Sequence, residues 1–149
     1  MRFQGQWLQG TDDLSACYDV RVDVFCDEQG YSREMELDGR DGDCLHYVLT
    51  DDQEHTAVAT GRLFWTDGEG TMAVGRIAVR KAWRGYGLGK TIMDAMIAKA
   101  QELHAARLVL DSQCYAIGFY EKCGFTVCGE EHMDGHVPHK MMQRILGKP

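Results

Sequence analysis

The stretch Val74-Gly75-Arg76-Ile77-Ala78-Val79-Arg80-Lys81-Ala82-Trp83-Arg84-Gly85-Tyr86-Gly87-Leu88-Gly89-Lys90-Thr91 decides how this chain is read. The apolar run up to Val79 reads as a strand, and Gly85, Gly87 and Gly89 read as a turn. A helix follows from about Gly87 to His104, with Leu88, Ile92, Met96, Ala100 and Leu103 on one face. Helix N-termini expose unpaired N–H groups at the positive end of the dipole, and glycines let a ligand approach the backbone closely. Such a turn is suited to phosphate, with Arg84 and Lys90 adding charge at its edges.

Three phosphate-binding patterns compete for this turn. The dinucleotide pattern GxGxxG fails, because Lys90 or Ile92 stands where its last glycine belongs. The P-loop pattern GxxxxGK[ST] finds its second half in Gly89-Lys90-Thr91, and Leu108-Val109-Leu110-Asp111 imitates its partner strand. Its first glycine, however, would be Arg84, and the loop follows several strands instead of the first. The pattern R-x-x-G-x-G is matched by Arg84, Gly87 and Gly89.

With Arg76-Ile77-Ala78-Val79 before it, this last pattern resembles the acyl-CoA-binding motif of the GNAT superfamily of N-acetyltransferases. Downstream, Ala116-Ile117-Gly118-Phe119-Tyr120-Glu121-Lys122-Cys123-Gly124-Phe125 is similar to that superfamily's A-x-x-(L/F)-Y-E-K-x-G-F segment. Val24-Phe25-Cys26-Asp27-Glu28-Gln29 and Asp134-Gly135-His136-Val137-Pro138-His139 resemble its ElaA/YjcF-like branch. The resemblance covers nearly the whole chain. It implies acetyl-CoA as co-substrate and a primary amine, on a small molecule or peptide, as acceptor. The alternative is a non-catalytic acyl-CoA-binding sensor or interaction domain.

The resemblance also implies site residues. Backbone groups of Ile77, Ala78 and Val79 meet the pantetheine arm if their strand splays from its neighbour. Amides from Arg84, Gly85, Tyr86, Gly87, Leu88, Gly89 and Lys90 hold the pyrophosphate, and Gln113 and Phe119 line the cofactor. Tyr120 matches the family's tyrosine that faces the sulfur, where a phenol can donate to a thiolate. A core tyrosine with a satisfied hydroxyl is the alternative. His139 follows Pro138 as in glyphosate N-acetyltransferase-type relatives, where a histidine at this place is the base; imidazole suits that task near neutrality. An ordinary edge-strand histidine is the alternative. The spacing of His132, His136 and His139 invites a zinc reading, but the Asp134-Gly135 turn between them argues against convergence, so no metal is expected. Glu28 and Glu36, in an acidic stretch with Glu34, Asp38, Asp41 and Asp43, attract a cationic amine or form a solvated face. Arg76 could clamp a substrate carboxylate.

The remainder of the chain is consistent with an enzyme of this kind. It has 149 residues, 44% of them hydrophobic and 26% charged, with two prolines, which is the profile of one globular domain spanning 1–149. A net charge of −7 provides no basic excess for nucleic-acid phosphates. No apolar run suggests a signal or membrane span. Six cysteines without a CxxC pair read as reduced thiols in a cytoplasmic protein; homodimerisation stays open. Strands are expected at Met1–Leu8, Cys44–Thr50, His55–Trp65, Thr71–Val79, Arg107–Leu110, Phe125–Glu131 and Pro138–Leu146. A helix capped by Asp12 or Asp13 should bury Leu14, Cys17, Tyr18, Val22 and Phe25, and a short one should run from Tyr115 to Lys122. Cys26–Asp43 reads as a loop or short helix. The order implies an α/β fold, a mixed and mainly antiparallel sheet of about seven strands flanked by helices.

Overall fold

A computed structural model describes residues 2–147; Met1, the first residue of the first expected strand, lies outside the described residues, as do Lys148 and Pro149. The strands are β1 (Phe3–Gln9), β2 (Leu45–Asp51), β3 (Thr56–Trp65), β4 (Thr71–Val79), β5 (Arg107–Gln113), β6 (Thr126–Val127), β7 (His132–Asp134) and β8 (Val137–Ile145). They form one eight-stranded sheet in the order β1-β2-β3-β4-β5-β8-β6, with β7 also on β8. Only β4 and β5 run parallel. The helices are α1 (Ser15–Arg21), α2 (Arg33–Glu36), α3 (Leu88–Glu102) and α4 (Ile117–Lys122).

The central strands β3 and β4 are buried on both faces because helices cover both. On one face α3 buries Leu88, Ile92, Met96 and Ala100, joined by Met93 and Ile97, while Leu103 packs at the margin. Gly61 on β3 permits this approach: a Cβ there would sit 2.6 Å from Ile77 Cδ1 and 2.9 Å from Met96 Cε. On the other face Val20 and Val24 pack on Ala78.

Three expectations need correction. The first helix buries Leu14, Cys17, Val20, Arg21 and Val24, in place of a face containing Tyr18, Val22 and Phe25. After Arg21 it widens into a π-helical segment, Val22–Glu28, so the buried face rotates relative to a regular period. Second, the strand expected at Phe125–Glu131 is only Thr126–Val127; the chain leaves the sheet and returns as β7, which pairs with β8 across a tight turn at Gly135. Third, the acidic stretch is not a solvated face throughout. Glu36 and Asp41 are buried around Arg21, which is itself 1% exposed.

Each nitrogen of that buried guanidinium has a partner. Its Nε and Nη2 donate to Glu36 at 2.7 and 2.8 Å, and its Nη1 donates to Asp41 at 2.8 Å. Arg62, from β3, donates to the same Asp41 oxygen at 3.0 Å and to Asp38 at 2.6 and 3.0 Å. The network fastens α2 and the turn at Asp41–Asp43 to α1 and β3. Hydrogen bonds from Arg62 hold the Asp38 carboxyl well below the usual carboxylate range. Burial alone would raise Asp41, but Arg21 and Arg62 outweigh it and hold it low.

Two outcomes follow. Arg21→Met should destabilise the fold by about 3–5 kcal/mol in urea unfolding, because it strands buried carboxylates. The depressed Asp38 and Asp41 stabilise the native state above the unfolded carboxylate value of about 3.9, and that contribution disappears as pH falls through their lower folded values. Urea midpoints should therefore drop between about pH 4 and pH 2, and they should drop less in Asp38→Asn.

Candidate active site

β4 and β5 share hydrogen bonds only from Thr71 to Val74, opposite Arg107 to Leu110. Beyond that point they diverge, β5 staying with β8 and β4 with β3. The splay that the resemblance required is therefore present. The β3–β4 register shifts between Thr60 and Arg62, so Gly61 faces two residues, Arg76 and Ile77. Arg76 takes the extra position with φ of 52°, a left-handed conformation that costs a non-glycine residue about 1–2 kcal/mol. Its Nη2 donates to the carbonyls of Met35 and Glu36 at 3.2 Å each. Its guanidinium also pairs with Glu36 and Asp38 at 3.2 and 3.5 Å.

Past the bulge, strand alternation sets where the backbone points. Arg80 N–H donates to Val58 O on β3 at 2.9 Å, so the N–H groups of Val79 and Ile77 point the other way, into the split. Ile77 and Val79 side chains pack toward α3, whereas Ala78 packs toward α1. The split opens into a cleft of about 750 Å³.

The glycine-rich turn closes one end of this cleft. Gly85 and Gly87 have φ of 94° and 72°, and a Cβ on either would point into open space. Gly87 is the N-cap of α3. None of the N–H groups of Gly85, Tyr86, Gly87, Leu88, Gly89 and Lys90 is bonded to a described carbonyl outside the helix, and the helix itself begins its ladder with Thr91 to Gly87 at 3.1 Å. Free amides around a concave turn at a helix N-terminus fit a pyrophosphate. The Arg84 N–H is different, since it donates to Lys81 O at 3.3 Å. Phe119 stacks against the turn, 3.2 Å from where a Gly89 Cβ would stand. Tyr86 packs edge-on against Phe3. Gln113 lines the cleft and donates to Gln29 at 2.7 Å.

Tyr120 and His139 both line this cleft. The Tyr120 hydroxyl makes no hydrogen bond among the described residues, and burial pushes its acidity down, keeping the phenol protonated. His139, 5% exposed, lies beside Gln113 on β5 and His132 on β7. Its Nδ1 is 2.9 Å from Val137 O, and its Nε2 is 3.8 Å from Asp134 Oδ2. Since a carbonyl only accepts, Nδ1 carries a proton, and in the neutral ring the lone pair is therefore on Nε2.

The other histidines go elsewhere. His132 Nε2 meets Asp111 at 2.8 Å, and that carboxylate raises its pKa. His136 Nε2 meets Gln29 O at 2.7 Å. Asp41, Cys44 and His46 bring three donor atoms within 4.8 Å of one another, but two guanidiniums already occupy the same Asp41 oxygen, where a cation would be repelled.

Glu28 and Glu36 are held by arginines. Glu28 accepts both terminal nitrogens of Arg84 at 2.7 Å, outside the cleft wall, and lies below its ordinary pKa for that reason. Carboxylates engaged in this way have little capacity left for an amine. Sequence reasoning missed Tyr31, Asp111 and Asp134, which line the far end of the cleft. The Asp134-Gly135 pair carried a turn signal, which is the hairpin signal for β7 and β8; nothing local announces that Tyr31 crosses to meet it.

Two parallel strands that part beside a bulge, with free amides on a helix N-terminus, make a fold suited to an extended anionic ligand. The chain belongs to the acetyltransferase (GNAT) family, whose family profile matches residues 7–125. Within it, the chain falls in the ElaA/YjcF-like branch and is an N-acetyltransferase. It is 34% identical over 134 residues to the uncharacterised N-acetyltransferase YjcF of Bacillus subtilis, covering 89% of this chain and 93% of that one. The structure of Escherichia coli ElaA superposes with a TM-score of 0.85 at 25% identity, over 95% of this chain and 99% of that one. An acyl-CoA N-acyltransferase from Pseudomonas aeruginosa does so with a TM-score of 0.84 at 27% identity, over 95% and 99% of the two chains. No described helix is long and apolar enough to cross a membrane.

Gly87→Val should remove cofactor binding at the turn. With acetyl-CoA at 100 times its dissociation constant the parent gains about 2.7 kcal/mol, read as a rise in melting temperature. The variant should lose that rise. It should also unfold more easily without ligand, by about 1–2 kcal/mol, because a branched residue is strained at this φ. Comparing the ligand-induced shifts, not the absolute temperatures, separates the two effects.

Proposed function

We propose that the protein, acting as one catalytic domain, moves an acetyl group from acetyl-CoA to the primary amine of a small molecule or peptide, by direct attack in a ternary complex. The observation that carries this reading is the convergence on one cleft of the inward N–H groups of Ile77 and Val79, the free Tyr120 hydroxyl and His139. A domain that only sensed acyl-CoA would have no use for an unbonded phenol and an imidazole in the same cleft.

Bound acetyl-CoA would supply an activated thioester. The amides from Gly85 to Lys90 hold its pyrophosphate, and the free edge of β4 pairs with its pantetheine arm. The N–H of Val79 or Ile77 stabilises charge on the carbonyl oxygen during attack. His139 Nε2 accepts a proton from the acceptor's ammonium, leaving the nitrogen lone pair free to attack. Tyr120, kept neutral by burial, donates to the departing sulfur. One C–N bond forms and one C–S bond breaks; of the two protons the ammonium loses, one leaves through His139 to solvent and the other restores the phenol of Tyr120 that protonated the thiolate.

An amine panel with acetyl-CoA, followed by release of free thiol, tests this directly. Tyr120→Phe should keep the fold and cofactor affinity but lower turnover by about 10²–10⁴-fold. His139→Gln should lower the rate and flatten its rise with pH, measured on one substrate for both proteins. A Phe variant with the parent rate would make Tyr120 a packing residue. A persistent acid limb in the Gln variant would place the base elsewhere.

A further inference from the structure

The acceptor end of the cleft, opposite the glycine turn, is roofed. The segment after α1 crosses the split to the β7–β8 hairpin. Tyr31 Oη donates to the main-chain carbonyl of Asp134 at 2.9 Å, and His136 Nε2 meets Gln29 O. A Cβ on Gly135 would stand 2.8 Å from the Tyr31 ring, so the two sides are in close contact. A roof fastened at both sides suits a compact acceptor better than a chain lying across the opening. Tyr31, Met35, Phe64, Val109 and Met141 give its walls an apolar character.

The charges at this end do not balance evenly. Arg21, Arg62 and Arg76 are matched by Glu36, Asp38 and Asp41, each guanidinium touching two of the three carboxylates. Arg76 thus has its charge answered inside the protein. Asp111 has His132 at 2.8 Å. Asp134 has no such partner among the described residues: no Lys or Arg pairs with it, and the His139 Nε2 stands 3.8 Å from its Oδ2. That separation is too long for a hydrogen bond and wide enough for one nitrogen to bond both groups. An ammonium seated there would donate one hydrogen to Asp134 and another to His139.

On the reading that His139 is the base, we propose that Asp134 binds the acceptor's ammonium group, and that the acceptor is a compact, apolar amine with no carboxylate beside its nitrogen. A carboxylate on the same carbon would lie against the like charge of Asp134, while the charge of Arg76 is already shared with Glu36 and Asp38. An amino acid is therefore a poor acceptor, whereas the corresponding amine without the carboxylate fits.

The test uses matched pairs, tyramine against tyrosine and isopentylamine against leucine, with acetyl-CoA and the full chain. Each amine should exceed its amino acid in kcat/KM by about 10-fold or more. Asp134→Asn should raise the KM for the amines by about 10- to 100-fold and leave the KM for acetyl-CoA unchanged. It should also narrow the preference within each pair. Asparagine keeps the side-chain shape, and Tyr31 bonds the main chain at this position, so the hairpin is retained. Amino acids acetylated as well as the amines, or amine KM values unmoved in Asp134→Asn, would overturn the proposal. So would acetylation of longer peptides alone. A His139→Gln protein with the parent pH profile would instead overturn the assignment of the base, and the KM shift in Asp134→Asn would still decide the ammonium site.

Discussion

After Val74, β4 no longer shares hydrogen bonds with β5, and a run of backbone donors and acceptors is left without a partner inside the sheet. Buried polar groups in that state are costly, so a structure keeps them only where something else satisfies them. Here the freed edge faces a cleft wide enough for an extended ligand arm. The same divergence makes room for Tyr120 from below β5 and for His139 from β8. The cleft and the groups that line it therefore rest on a single failure of strand pairing, which two parallel strands of regular register would not provide.

The divergence is held open by the bulge at Arg76, and the bulge is held by charge. A left-handed arginine would relax if its side chain were free. Instead the guanidinium is tied to two carbonyls and two carboxylates on the α2 segment. Those carboxylates are fixed in turn by Arg21 and Arg62. A buried ion network is a weak source of net stability, because desolvation offsets most of the Coulomb gain. Its value here is geometric: it joins α1, α2, β3 and β4 at the point where the backbone must leave its preferred conformation. Local strain of about 1–2 kcal/mol is small beside what several directed, buried hydrogen bonds can hold.

How much of this was legible in the sequence varied with how local the signal was. β2, β3, β4 and α3 were readable to within a residue or two, since period-two and period-3.6 patterns are carried by neighbours in the chain. The glycine turn and the segment ending in Gly124-Phe125 were readable because their spacing is short and chemically constrained. The buried face of α1 was misread because a π-helical turn shifts the period without a marker in composition. The acidic stretch was misread as largely open because its partners, Arg21 and Arg62, lie far off in sequence. Glu28 and Glu36 bore the right charge for an amine, but arginines already claim them. Asp134, which looked like a turn residue only, ends up beside His139 because β7 folds back on β8.

The division of charge along the cleft follows from the same architecture. At the turn, positive potential comes from N–H groups and the α3 dipole, while the arginine there, Arg84, is neutralised by Glu28. Backbone donors do not titrate, so the positive character of that end does not change with pH. At the other end the arrangement is reversed. The arginines there are paired within the protein, and the cleft is also lined by the Asp134 carboxylate and by the His139 imidazole, whose Nδ1 is bonded to Val137 O. The proposed reaction, which would hold an anion at one end and take a proton from a cation at the other, makes use of this asymmetry.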